Sequence, residues 1–418
     1  MNHLKQLQRI ADESNGNRAI NTRGFNETVN YIYNYLQNQV KDLQVKRQTF
    51  QLKDFVLAKN PIFFSSEFTY VNYSTAANFT DYISIVHIPN YGCKENEWQN
   101  VSGFVALIKG GGKCTFSEKS VLAKNNGAKA ILFYSNGETS NNLAPLNIRL
   151  RQSNQLPALS LSYAIELKNL ATFPVDNICA DTLNGDATQT IVIGSHSDSV
   201  PIGPGINDNG NGTAANLVLA TNLVRLYRTA NYTKYKYRVR FCWWAGEEIG
   251  LAGSSYHVQN AQNMTELGER LQDYLLNLNF DMAGSPNFIF GIYDAKTAVN
   301  LYRDWFIRQN LPWDYRDFNG RSDYGPFLAA GIAAGGVATG SDAIKTAAQR
   351  EKYRQSIGKN NAGFAGAILD PCYHQSCDTL TNIHLYGYEK LVQAAAYGLE
   401  CLGQHPDLLR WLYPNGRT

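Results

Sequence analysis

Residues 193–227, "IGSHSDSVPIGPGINDNGNGTAANLVLATNLVRLY", place a glycine-crowded loop between the end of an apolar strand and a helical run. Phosphate-binding loops occupy that position, but this one lacks their chemistry. A Walker loop requires a Lys followed by Ser or Thr at its helix end, and here Gly212, Thr213 and Ala214 stand there without a cation. A dinucleotide fingerprint begins directly at the strand end, whereas His196 to Ile202 intervene before the first glycine. What the loop does offer is a polar group at a strand terminus: His196, Asp198 and, further on, Asp208.

The surrounding pattern tells which edge of a sheet that is. From about residue 176 onward, apolar strand-like runs alternate with helical ones: "TIVIGS", a helix from Thr213 to Tyr227, "YRVRFCWWA", "AGSSYHVQNA", "LLNLNFDMA", "KTAVNLYRDWFIRQN", "AAGGVATG" and "LYGYEKLVQAAAYGLECLGQ". Such alternation predicts an α/β fold with a mostly parallel mixed sheet flanked by helices. Ligands of such sheets sit outside the carboxyl ends of the strands. The first forty residues read as two helices, the second with Phe25, Val29, Ile32 and Leu36 at helical spacing, and "LQVKRQTFQL" follows as a strand. Between them and the α/β region the texture changes to short strands, "DYISIVHIP", "GFVALIKG" and "AKAILFYS", cut by Gly/Asn-rich turns. A discontinuous main domain (1–54 and 176–418) with a small α+β domain inserted at 55–175 is therefore expected.

Composition narrows the function classes. The chain has 418 residues, and its 44% hydrophobic and 17% charged content excludes disorder. A net charge of +3 without a Lys/Arg run gives nucleic acid no electrostatic footprint. No apolar run approaches the roughly 18 residues of a membrane span, and the polar start has no signal-type core, so no membrane partner is expected. Sequons at Asn26, Asn72, Asn78, Asn100, Asn211, Asn231 and Asn263 suit a secreted glycoprotein. Of the seven cysteines, Cys372 with Cys377 and Cys93 with Cys114 are expected to form disulfides, implying an oxidising compartment. Cys179, Cys242 and Cys401 lie in apolar runs and are expected to be reduced and buried.

Three apolar strands end in acid or imidazole: one in His196 and Asp198, one in Glu247 and Glu248, one in Asp281. The glycine loop adds Asp208, and "DPCYHQSCDT" adds His374. Each has a structural reading, as a turn former, helix cap or strand-end hydrogen bonder. Their coincidence at one sheet edge does not. Crowded carboxylates raise one another's pKa values and call for a cation, and imidazole mixed with carboxylate suits zinc. Two histidines with three or four acids suggest two Zn²⁺ sharing a bridging Asp, with a spare acid as base. His3, His87, His257, His384 and His405 gain no such support.

The ordered series "HSDS", "GINDNGNGTAANL", "WWAGEEIGLAGS", "NLNFDMAGSP", "GRSDYGPFLAAGI" and "DPCYHQSCDTLTNI" closely resembles the M28 family of co-catalytic zinc aminopeptidases. The segment "GFVALIKGGGKCTFSEKSVLAKNNGAKAILFYSN" resembles a protease-associated (PA) domain. The resemblance implies that His196 and Asp281 bind one zinc, Glu248 and His374 the other, and Asp208 bridges. Asp198 would orient His196, Glu247 would serve as general base and then acid, Tyr373 would donate to the reacting carbonyl, and Arg321 would line the substrate site. Glu247 and Asp281 would form an acidic rim for the substrate's free amino terminus. Val337 and Ala338 are small where relatives often carry bulkier residues. The resemblance thus implies a secreted or vacuolar/lysosomal-type aminopeptidase acting on peptides with a free N-terminus, its oligomeric state not legible. Carboxypeptidase or dipeptidase relatives, which would need cations to clamp a carboxylate, are the nearest alternative. A one-metal glutaminyl cyclase-like enzyme and a receptor-like ectodomain with a dead site are opposed by the complete ligand set.

Overall fold

The computed structural model describes residues 1–57, 77–78, 84–109, 114, 116–134, 158–159, 164–165, 167–293, 299–316 and 320–417. The chain divides into two compact units, Met1–Phe50 with Pro174–Thr418, and Gln51–Phe173.

The larger unit is built on an eight-stranded sheet. In chain order its strands are β1 (Leu43–Leu57), β2 (Leu167–Thr182), β3 (Asp186–His196), β4 (Tyr237–Trp244), β5 (Tyr274–Phe280), β6 (Gly291–Tyr293), β7 (Asp314–Arg316) and β8 (Ala333–Ala338). Across the sheet they run β1-β2-β4-β3-β5-β8-β6-β7. The central four, β4-β3-β5-β8, are parallel, while β2 and β6 pair antiparallel to their inner neighbours. All eight residues of β4 and all seven of β5 are buried, as expected of strands covered on both faces. Strand order reverses at β3, so the carboxyl ends of β3, β4 and β5 flank a topological switch point.

Helices cover the faces: α1 (Asn2–Asp12), α2 (Arg23–Gln39), α3 (Asn211–Tyr227), α4 (Ala252–Asn263), α5 (Val299–Arg308), α6 (Tyr324–Ala329), α7 (Ala347–Ile357), α8 (Leu385–Gly403) and α9 (Leu408–Leu412). Thr22 starts α2 by accepting the Phe25 amide (3.3 Å), and the helix buries the predicted Phe25, Val29, Ile32 and Leu36. The polar α7, which buries only Tyr353, gave no periodic signal; a capping box between Thr346 and Gln349 sets its start.

In the smaller unit, the strands Ile85–His87, Val105–Lys109, Ala130–Tyr134 and Ala158–Leu159 form a parallel sheet. Its core gathers Ile88, Trp98, Val101, Ala106, Ile108, Ala123 and Ile131, with the helix Phe116–Asn125 supplying Ala123.

Disulfides join Cys93 to Cys114 and Cys372 to Cys377 as expected, and a third joins Cys179 to Cys242. The expectation that the last two are reduced is therefore wrong. They face one another across antiparallel β2 and β4 with Cα atoms 4.2 Å apart, a juxtaposition set by strand register. Cys401 is free and partly buried. Among the sequons, Asn26, Asn100, Asn231 and Asn263 are exposed, Asn211 is fully buried, and Asn72 and the Asn78 side chain lie outside the described residues.

His257 on α4 is buried in this core, stacked on Tyr274, with Nδ1 donating to Gln48 Oε1 (3.0 Å) and Nε2 buried without a hydrogen-bond partner. Burial, helped by the nearby Arg240 charge, holds its pKa down at about 3. Between the ordinary value of about 6.5 and that depressed one, the unfolded chain takes up a proton that the folded protein refuses, so stability falls as the pH drops through this window. In metal-free urea unfolding, His257→Phe should therefore show a stability slope against pH, from pH 6 down to about 4.5, shallower than wild type by up to about 1.4 kcal/mol per pH unit. Parallel slopes would contradict the assignment.

Candidate metal centre and active site

Three apolar strands deliver the polar groups to one place. His196 is the last residue of β3, Glu247 and Glu248 follow β4, and Asp281 follows β5 directly. Asp208 comes from the turn Ile206–Gly210 that leads into α3, and Gly205 in front of it takes the left-handed φ of +61°. A Cβ at Gly205 would meet the Asp208 carbonyl oxygen at 2.4 Å, so glycine is required there. His374 reaches in from the loop closed by the Cys372–Cys377 disulfide.

The carboxylate of Asp208 faces two imidazoles at once. Its Oδ1 lies 3.1 Å from His196 Nε2, and its Oδ2 lies 3.1 Å from His374 Nε2. On the first side Asp281 Oδ1 stands 3.4 Å from His196 Nε2; on the second Glu248 Oε2 stands 3.2 Å from His374 Nε2. The donors thus fall into two triads, His196/Asp208/Asp281 and Asp208/Glu248/His374, each with its ligating atoms within 4.8 Å of one another. Glu247 shares a third such grouping with His196 and Glu248, which puts it beside both triads. Each triad mixes imidazole nitrogen with carboxylate oxygen, the donor chemistry of zinc. Asp281 Oδ1 is buried and has no hydrogen-bond partner, as a ligand atom awaiting a cation would be.

The surrounding acids favour charge on both imidazoles. Burial disfavours the His196 imidazolium, yet Asp281, Asp198 and Asp208 hold its pKa well above the ordinary value. Burial likewise opposes charge on His374, and Glu248 and Asp208 lift it to about 10. Asp323, buried near this cluster with Ser254 Oγ donating to it (2.5 Å), is raised by burial to about 7.

Each predicted residue lies at this site, and Asp198 contacts the far nitrogen of His196, though through its main chain. His196 Nδ1 donates to the Asp198 carbonyl oxygen (3.2 Å), leaving Nε2 to face the acids, while the Asp198 carboxylate stands off at 3.6 Å. That carboxylate instead accepts the amides of Gly246 (3.0 Å), Glu247 (3.2 Å) and Glu248 (3.2 Å). It therefore fixes the turn that aims both glutamates. Tyr373 stacks on His374 with ring centroids 3.8 Å apart, and its hydroxyl accepts from Arg321 Nη2 (3.4 Å). Burial raises the Tyr373 pKa well above normal, keeping the phenol a donor. Arg321 lines the cleft and is held by Asp342 through bonds of 3.1 and 3.3 Å.

Sequence reading missed the residues that hold these loops. Asp378 accepts the amides of Asn207 (2.8 Å) and Asp208 (2.9 Å), and Asp370 accepts from Asn382 (3.0 Å) and from the Cys372 amide (2.8 Å). Ser322 Oγ donates to Asp281 Oδ2 (2.6 Å). Arg18, fully buried, donates from Nε to Pro204 O (2.9 Å), from Nη2 to Gly205 O (2.7 Å) and from Nη1 to Ser197 O. Burial lowers its pKa to about 10 against the pull of Asp198, Asp378, Asp208 and Glu248, so it stays charged at neutral pH. It is a cation from the chain's start lodged behind the acids.

The profile of Peptidase family M28 matches residues 177–398, and that of the PA domain matches residues 81–167. Among curated proteins, the probable leucine aminopeptidase 2 of Aspergillus fumigatus is 34% identical over 92% of this chain and 78% of its own. Among solved structures, the aminopeptidase from Aneurinibacillus sp. strain AM-1 superposes with a TM-score of 0.66 at 21% identity, over 96% of this chain and 93% of that one. A zinc aminopeptidase from Bacillus subtilis follows with a TM-score of 0.58 at 19% identity, over 95% and 93%. These structural likenesses establish the α/β fold with its mixed sheet.

Removing the guanidinium of Arg18 would strand three loop carbonyls and leave the acids less balanced. Arg18→Leu should destabilise the metal-free protein by roughly 3 kcal/mol or more, and zinc binding should weaken if loosening of the His196 and Asp208 loops outweighs the gain in negative charge. Arg18→Lys should recover only part, because an ammonium cannot reproduce the planar fork. Urea unfolding together with zinc titration tests this, and wild-type values for Arg18→Leu would refute it.

Proposed function

Because this chain belongs to peptidase family M28 and carries a PA domain, we propose that it is a zinc-dependent aminopeptidase that removes single residues from the free N-terminus of peptides. The observation that carries this reading is the Asp208 carboxylate shared between two His/acid triads. In the proposed assignment His196 and Asp281 hold one zinc, Glu248 and His374 the other, and Asp208 bridges them. Zinc so placed would polarise the scissile carbonyl and lower the pKa of a nearby water toward about 7.

The remaining steps belong to side chains. Glu247, beside both triads, takes the proton of the attacking water and later delivers it to the leaving amine. Tyr373, kept protonated, donates from its hydroxyl to the carbonyl oxygen as charge develops there. Glu247 and Asp281, both lining the cleft, offer carboxylates to the substrate ammonium, which limits cleavage to one residue from the end. Asp198 keeps Glu247 and Glu248 aimed by holding their amides.

The three disulfides support a secreted or vacuolar/lysosomal-type lumen as the working compartment. No helix among the described residues is long and apolar enough to cross a membrane. A carboxypeptidase or dipeptidase reading draws support from the two arginines that line the cleft, Arg316 and Arg321. The aminopeptidase reading is preferred because the acidic rim stands next to the triads and Arg321 is already held by Asp342.

The test uses aminoacyl anilides with free and with acetylated amino groups, with and without a chelator. Release from free-amine substrates alone, lost on chelation and restored by zinc, is expected. Glu247→Gln should retain zinc while losing turnover by roughly a thousand-fold or more. Cleavage from the carboxyl end, or wild-type turnover by Glu247→Gln, would contradict the proposal.

A further inference from the structure

The cleft beside the two triads is lined by both acids and arginines. Asp208, Glu247 and Asp281 line it together with Tyr293, Tyr324, Ala338 and Arg316. Arg316 closes the short strand β7, where the register pairs it with Tyr293 of β6. Its stem lies in a trough made by residues without bulk. Gly291 is opposite Ala338 in the β6–β8 pairing, and a Cβ on Gly291 would come within 2.4 Å of Arg316 Cδ. A Cβ on Gly340 would come within 3.1 Å of Arg316 Nη1. Small side chains at these positions thus let a long cation lie flat against the sheet edge and reach the cleft, with its guanidinium carbon 5.7 Å from the Tyr293 ring centroid.

The two arginines of the cleft differ in what they already hold. Arg321 makes a forked pair with Asp342 and a bond to Tyr373. Arg316 has no carboxylate within 4.0 Å among the described residues, and its Nη1 is buried without a hydrogen-bond partner. A partly buried guanidinium that lines the cleft without a carboxylate partner leaves its charge for an occupant of the cleft to pair. The complement of that planar fork is a carboxylate.

We infer that Arg316 is a specificity-determining residue that receives a carboxylate of the substrate, so that acidic substrates are favoured over neutral ones of the same shape. This rests on the aminopeptidase reading above. The carboxylate has two sources, the side chain of an N-terminal Glu or Asp, or the terminal carboxylate of a dipeptide.

The experiment measures kcat/KM of the zinc-loaded wild-type enzyme for two isosteric pairs: glutamyl against glutaminyl anilide, and Leu-Gly against Leu-glycinamide. A preference of roughly ten-fold or more for the carboxylate member of a pair is expected, and the pair that shows it identifies the source. Arg316→Met, which keeps an unbranched stem over Gly291, should erase that preference, and Arg316→Lys should keep part of it. Equal rates within both pairs, or a preference that survives Arg316→Met, would overturn the inference. No turnover of any of the four substrates would overturn the aminopeptidase reading, and this inference with it.

Discussion

One carboxylate, that of Asp208, is held against two imidazoles whose own neighbours are acids, and the rest of the larger unit is arranged to keep it there. Left alone, Asp208, Glu247, Glu248 and Asp281 would repel one another in a site where water screens little, since all but Asp281 are nearly buried. The fold opposes that repulsion in two ways. His196 and His374 take up protons when no metal is present, and Arg18 sits behind the cluster as a permanent cation. A pair of divalent ions would replace the protons on the imidazoles and neutralise the acids together.

Rigidity comes from carboxylates that never reach the reacting atoms. Asp198 collects three consecutive amides of the turn bearing Glu247 and Glu248, and Asp378 collects the amides of Asn207 and Asp208. Each locks a loop by satisfying backbone donors that burial would otherwise leave unpaired. Asn209 adds a link between the Asp208 turn and β5, donating to the Phe280 carbonyl (2.9 Å). The residues of the two triads are thus set by strand ends on one side and by buried polar loops on the other, so the geometry of the candidate site and local folding rest on the same bonds.

The strand ends were legible in the sequence because apolar runs in a parallel sheet announce themselves and terminate at one edge. His196, Glu247, Glu248 and Asp281 could therefore be placed together without coordinates, and family resemblance added the bridging part for Asp208. Arg18 carried no such signal: its contacts lie about 180 residues along the chain, in main-chain carbonyls that any sequence possesses. The Cys179–Cys242 disulfide was misread because apolar surroundings mark a cysteine as buried, while bonding depends on which residues face one another across β2 and β4. The resemblance pointed to Asp198 as the partner of the far His196 nitrogen; the structure makes that bond through the Asp198 carbonyl, while the carboxylate turns to three backbone amides, which no sequence pattern announces. Arg316 drew no reading from the sequence, as a three-residue edge strand is too short to show alternation.

In the proposed function Asp208 joins two metal sites. Crystals of protein purified without chelator, measured on both sides of the zinc absorption edge, test it most directly. Two anomalous peaks about 3.5 Å apart, one on each side of the Asp208 carboxylate, are the predicted result. A single peak at full occupancy, or two that do not share Asp208, would contradict it.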